Sequence, residues 1–298
     1  PPHHYSERVL VRPMRAGDVD VAERLTAEVF WDLHLRTRPN DWPPPQRRSS
    51  AGSAQWVRRM RHLLEHDGGG CWVAEDNGLV GVATSLRREG LWGLSAYAVL
   101  PRAQGAGVGA ALLQAALGYS QGCLRGVICS SHDARAARRY RLAGFTLHPT
   151  MVLRGSVDRS ALPFQDRVRD GSVADIDLCN SVDRQTRGAA HGADHEVMAA
   201  EMRLVVSDHT TGSGYCYIRG DGGAHLLAAT NRRTATRLLW ESLAAAGDGP
   251  VELWHVTAAQ EWAVDVALAA GLEVHNRGYL ALRTMRPPMP YLPSGHFL

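Results

Sequence analysis

Lysine is missing altogether from this 298-residue sequence, so all 33 basic side chains are arginine. Without a lysine amine there is no phosphate loop ending in Lys-Ser or Lys-Thr, no Schiff base and no lysine-paired nucleophile. Cysteine is scarce. The five (Cys71, Cys123, Cys129, Cys179, Cys216) are scattered and lack the close paired spacing of a structural zinc site, which fits a reduced cytoplasm. No run of about 18 uncharged apolar residues occurs, and the opening Pro1 to Arg8 has no apolar core of leader length. A soluble, cytoplasmic protein is expected. Blocks of like charge are absent as well, which argues against nucleic-acid and membrane partners, and the mild net charge of +3 leaves room for small anionic ligands.

The length is about twice that of a usual single domain, and the sequence repeats itself. Val11-Arg12-Pro13-Met14-Arg15-Ala16-Gly17-Asp18 lies on Val168-Arg169-Asp170-Gly171-Ser172-Val173-Ala174-Asp175 without a gap. Each stretch reads as a short strand, a turn and a helix start carrying Asp, the sign favoured at a helix N-terminus. Ala134 to Phe145 likewise resembles Glu261 to Leu272, each an alanine-rich helix stopping at a glycine. The second copy is shorter, and the Pro- and Arg-rich stretch Arg36 to Arg59 is the expected site of the difference. The expected organisation is a first domain over 1–155, a polar linker over 156–167, a second copy over 168–285 and a proline-rich extended tail over 286–298. In the first copy, strands near Cys71 to Glu75, Leu79 to Leu86 and Leu91 to Leu100 are separated by the turn signals Asn77-Gly78 and Glu89-Gly90.

The richest local signal follows. Strand Tyr97-Ala98-Val99 leads through Leu100 to Gln104 into Gly105-Ala106-Gly107-Val108-Gly109-Ala110 and then an apolar helix. Glycines let a ligand approach the backbone, and the bare amides of a helix start attract a phosphate; a tight turn that only packs is the plainer reading. A dinucleotide fingerprint is a rival, but Pro101 to Gln104 separate strand from glycine, and no carboxylate stands near position 125.

With Gln104, Gly107 and Gly109 in place after Val99-Leu100-Pro101, the sequence resembles the GCN5-related N-acetyltransferase (GNAT) family, whose signature is Gln or Arg, two residues, Gly, one residue, then Gly or Ala. Asp133-xx-Ala136-xxx-Tyr140-xxx-Gly144-Phe145 resembles a second element of that family. The resemblance implies an α/β fold of two tandem GNAT-like domains, each a twisted mixed β-sheet flanked by helices. It also implies acetyl-coenzyme A as cosubstrate, with no metal. The backbone of Tyr97, Ala98 and Val99 would meet the pantetheine arm, Gln104 and the turn Gly105, Ala106, Gly107, Val108, Gly109 and Ala110 would hold the pyrophosphate, and Asp133 and Ala136 would lie beside it. Tyr140 would protonate the leaving thiolate, as a phenol near pKa 10 can; packing beneath the cofactor is its plainer role. Trp31, His34 and Trp42 flank the loop where the family receives its acceptor, a small-molecule or peptide amine.

The family often has a Glu on its fourth strand, but Leu91 to Tyr97 contains no carboxylate. The terminal carboxylate of Leu298, on an apolar tail, is one candidate base. A coenzyme A-binding sensor without turnover is the alternative from another class. Laying the alanine-rich helices on each other places Gln104 on Asn231, Gly107 on Thr234, Gly109 on Thr236 and Tyr140 on Ala267, so one active site per chain is expected. His191 and His195 suggest a metal site, but Gly188 and Gly192 interrupt the helix it would need, and polar groups of a surface loop or cleft are expected instead. The acceptor is not readable, a homodimer is allowed, and the lysine-free, Arg- and Ala-rich composition suits a GC-rich bacterial genome.

Overall fold

The computed structural model describes residues 9–298; the Pro1 to Arg8 stretch read for a leader lies outside the described residues. The first half runs β1 (Leu10–Pro13), α1 (Val19–Thr37), α2 (Ser50–Asp67), β2 (Cys71–Glu75), β3 (Leu79–Arg88), β4 (Leu91–Val99), α3 (Val108–Gly118), β5 (Arg125–Ser130), α4 (Ala134–Leu142) and β6 (Thr146–Gly155). The second repeats that order: β7 (Arg169–Asp170), α5 (Ile176–Thr186), α6 (Asp194–Glu201), β8 (Arg203–His209), β9 (Gly212–Ile218), β10 (Ala224–Ala229), α7 (Arg232–Ala244), β11 (Val251–Thr257), α8 (Glu261–Ala269) and β12 (Glu273–Arg283). The tail adds β13 (Tyr291–Leu292).

The repeated Val-Arg…Asp motif has a physical purpose in both halves. Arg12 grips Asp18 at 2.8 Å and Arg169 grips Asp175 at 2.6 Å, tying each first strand to the turn that opens the first helix. Each aspartate also accepts a backbone N–H, from Arg15 or Ser172. Asn77 and Gly78, like Glu89 and Gly90, take the paired positive φ that a tight hairpin turn requires. The shortening of the second copy is not confined to one loop: α1 and α2 have 19 and 18 residues against 11 and 8 in α5 and α6.

The two halves exchange their last strands. An eight-stranded sheet runs β1-β2-β3-β4-β5-β12-β6-β11, and a five-stranded sheet runs β13-β10-β9-β8-β7. β12, from the second half, lies antiparallel to β5, while β6, from the first half, lies antiparallel to β11 and β12. The largest core cluster accordingly mixes Met60, Leu63 and Trp92 with Cys179, Met198 and Tyr215. A buried ion network spans the halves too: Arg88 reaches Asp67 at 2.9 Å and Asp194, and His62 reaches Asp194 at 2.8 Å. Among the described residues, no helix is long and apolar enough to cross a membrane, and all five cysteines are free.

Candidate active site

β4 and β5 run parallel and are hydrogen-bonded only from Leu91 opposite Arg125 to Leu94 opposite Ile128. Beyond that point they part, so the edge of β4 from Ser95 to Val99 that faces β5 has no strand partner among the described residues. An unpaired strand edge offers donors and acceptors to an extended ligand. The register of β3 on β4 shifts between Thr84 and Ser85, leaving Ser95 as the extra residue of a bulge where the strands part.

After β4, the turn that carries the sequence signature places Gly105 at φ +85° and Gly107, the N-cap of α3, at φ +86°. These left-handed values favour glycine, and the first amides of α3 follow without a side-chain cap. Gly109 serves another purpose: a Cβ there would stand 2.5 Å from the Tyr97 hydroxyl. Gln104 donates its amide to the Val99 carbonyl at 2.8 Å and accepts from Arg135 at 2.6 Å, so its side chain pins strand to turn and helix. Asp133 is a helix cap, accepting from the amides of Arg135 and Ala136 and from the Arg135 guanidinium. Ala136 follows half-buried on the first turn of α4.

Tyr140, on α4, is buried and lines a cavity of about 570 Å³ together with Leu94 to Tyr97 and Ile128 to His132. Burial raises its phenol above the ordinary value, and burial pushes the neighbouring Tyr97 phenol up to about 12. Both are protonated at neutral pH, with ring centres 6.2 Å apart. Trp31 and His34, on α1, face the same cavity. Trp42 does not line it and lies instead under Arg154 and Arg277 and edge-on to His275.

The second half supplies the opposite wall, and local irregularities of its strands do much of the aiming. The register shift of β9 on β10 throws out His225, that of β6 on β11 throws out Trp254 and His255, and that of β6 on β12 throws out Arg277 and Gly278. All of these residues line the cavity, as do Pro293, Gly295 and His296 of the tail. Sequence periodicity carries no trace of a bulge, so these residues, with Trp56, Arg59 and Ser95, escaped the sequence reading. Burial holds the imidazoles of His225 and His255 down to about 3 and 4, so both are neutral at pH 7. The acidic lining residues are committed, Glu252 to Arg154 and Trp254, and Asp221 to Arg219.

Leu298 is placed elsewhere. Its side chain packs with Leu91, Val127 and Leu280, and its O atom is held by Arg187, by His191 at 3.1 Å and by the Tyr291 hydroxyl at 2.8 Å. It does not line the cavity, and a carboxylate engaged by a guanidinium is a weak base. His191 and His195 are fully buried rather than surface polar groups. With Asp183 they form a cluster whose ligand atoms lie within 4.8 Å of one another. The cluster is held by hydrogen bonds among its members, to Tyr215 and Tyr217, and carries the Arg187 cation at its edge.

In the second half the cradle is gone as a whole. β10 ends at Ala229 and α7 starts at Arg232 with Asn231 as its N-cap, so the turn corresponding to Leu100 to Gly107 is deleted rather than replaced by threonines. Because the helix starts differ, Thr234 and Thr236 are not the structural counterparts of Gly107 and Gly109. Ala267 does occupy the place of Tyr140, deep in α8. The tail covers the exposed side of β10, with Leu292 opposite Leu227 and Tyr291 opposite Ala228.

Residues 27–145 match the family model described as the acetyltransferase (GNAT) family. The family match thus lies within the N-terminal half of the chain. The whole chain is similar in fold to a Pyrococcus horikoshii protein assigned to the acetyltransferases (TM-score 0.73, 12% identity, covering 99% of this chain and 96% of that one). It is also similar to a GCN5-related N-acetyltransferase from Sphaerobacter thermophilus (TM-score 0.59, 17% identity, 96% and 98% covered). A third similar structure is the tandem GNAT protein of the clavulanic acid biosynthesis pathway (TM-score 0.55, 14% identity, 93% and 99% covered). No curated relative matches the sequence. The fold of this chain is therefore a tandem GNAT architecture with its signature turn in one half.

Proposed function

We propose that this tandem GNAT protein is an N-acetyltransferase that moves the acetyl group of acetyl-coenzyme A directly to an amine held in the shared cavity. The observation that carries the reading is one juxtaposition: the open edge of β4 and the buried phenol of Tyr140 line one cavity, and the same strand runs on into the glycine turn at the start of α3. The β4 edge from Tyr97 to Val99 would pair with the pantetheine arm, and the amides of the turn would bind the pyrophosphate. Acetyl-coenzyme A supplies the activated thioester. Amides along β4 polarise its carbonyl, the amine attacks, and the Tyr140 hydroxyl donates its proton to the departing thiolate. The amine's own proton needs an acceptor, and Nδ1 of His255 is buried on the cavity wall without a partner among the described residues.

Melting with and without ligand is the direct test. Coenzyme A at about 100 times its dissociation constant should add about 2.7 kcal/mol of stability, and free thiol should appear from acetyl-coenzyme A when a suitable amine is present. A melting shift given by a nicotinamide dinucleotide and not by coenzyme A would overturn the reading.

A further inference from the structure

The acceptor cavity has an imbalance of charge. Among its cations, Arg48 is held by Glu23 at 2.7 Å, Arg219 by Asp221 and by the carbonyls of Ala224 and Glu252, and Arg277 by Thr37. Arg59 has no such partner: among the described residues no hydrogen bond or ion pair reaches its guanidinium, and its Nε is buried and unsatisfied. Burial lowers its pKa to about 10, still far above neutrality, so the group is a cation. One turn earlier on the same face of α2, the indole N–H of Trp56 is also buried with no acceptor. Both side chains line the cavity. Unsatisfied buried donors are uncommon in folded proteins and costly to maintain, and two on one helix face ask for a shared acceptor.

We infer that the acceptor amine also carries a carboxylate, as an amino acid does, and that this carboxylate seats on the Arg59 guanidinium with the Trp56 indole N–H as a second donor. The inference rests on the acetyltransferase reading for the reaction, but the anion site stands on Arg59 and Trp56 themselves. A single planar anion suits one guanidinium fork and one neutral N–H. A phosphate dianion would want a second free cation, and the nearby imidazoles are neutral at pH 7.

The test uses the full chain loaded with coenzyme A, a panel of free amino acids, and each one's amide and decarboxylated amine. Two readouts are taken: melting shift with coenzyme A bound, and thiol release from acetyl-coenzyme A. The acid should outperform its amide by roughly 10- to 100-fold in affinity or kcat/KM. Arg59→Gln should abolish that preference, and Arg59→Lys should restore part of it. Because Arg59→Gln removes a half-buried cation whose Nε has no partner among the described residues, it should fold with an unchanged or higher melting midpoint, so a lost preference is not a folding defect. Amides that bind or react as well as acids, no acid-dependent stabilisation at all, or a preference that survives in Arg59→Gln each overturn the inference. Acid-dependent stabilisation lost in Arg59→Gln, alongside no response to coenzyme A, would instead sink the acetyltransferase reading and leave the anion site standing.

Discussion

Tyr140 is where residue chemistry bears most directly on the proposed reaction. Its phenol is buried with no carboxylate bonded to it among the described residues, and burial raises its pKa, which on the proposed reading keeps the proton on until the thiolate forms beside it. Tyr140→Phe keeps the ring and removes only the proton, so turnover should fall by about 100-fold or more with the coenzyme A melting shift retained. Undiminished turnover would assign Tyr140 to packing alone. The cavity histidines give a second prediction. His225 and His255 are held near 3 and 4, chiefly by burial, with the arginines Arg219 and Arg59 adding to the effect on His225. The unfolded chain takes up these protons near the ordinary histidine value of about 6.5. Above that value both states are neutral and the contribution to stability is complete; it is lost as pH falls toward 4. The limit is about 1.4 kcal/mol per pH unit for each ring, and access of water to the cavity keeps the real slope below it. Melting midpoints measured from pH 7 to pH 5 should drop in wild type and drop less in His255→Phe; parallel curves would show that His255 is not buried neutral.

The elements differ sharply in how much of them the sequence reveals. The strands, hairpin turns and helices of the first half are legible because alternation, Asn-Gly and Glu-Gly pairs and a glycine helix start leave local marks. The turn proposed as a binding site is legible for the same reason, since Gly105, Gly107 and Gly109 are conformational and steric necessities. Bulges leave no such mark: an extra residue in a strand changes neither composition nor period, so Ser95, His225 and His255 look like ordinary strand positions until the partner strand is known. Alignment of the second copy by its helices also misplaces the deleted turn, because a gap between two well-matched elements is invisible to an ungapped register. The close approach at Gly109 can be tested as a coupling. Gly109→Ala should destabilise by about 1–3 kcal/mol through overpacking against the Tyr97 hydroxyl. In a Tyr97→Phe background, where that hydroxyl is gone, much of the loss should disappear. Strict additivity in urea denaturation would show that the crowding lies elsewhere.

At the scale of the whole molecule, strand exchange makes the halves depend on each other. No local signal reveals it, because a strand's pattern says which face is buried and not which neighbour it pairs with. Its consequence is that the first half's sheet is closed by β12 and the second half's β11 lies beside β6. The cavity beside Tyr140 is then a product of the exchange, since β11, β12 and the tail can reach the wall opposite Tyr140 only when the halves are interlocked. Cooperative unfolding follows. Leu280, on β12, is buried between its neighbours Cys129 of β5 and His148 of β6. Leu280→Ala should cost about 2–5 kcal/mol and move one calorimetric transition, with the calorimetric and van't Hoff enthalpies equal. On the proposed reading coenzyme A binds the first half, and it should then raise that same single midpoint in the variant. Two resolved transitions, only one of them shifted by coenzyme A and the other by Leu280→Ala, would mean that each half closes its own core and that the exchanged strands are a surface contact between independent units.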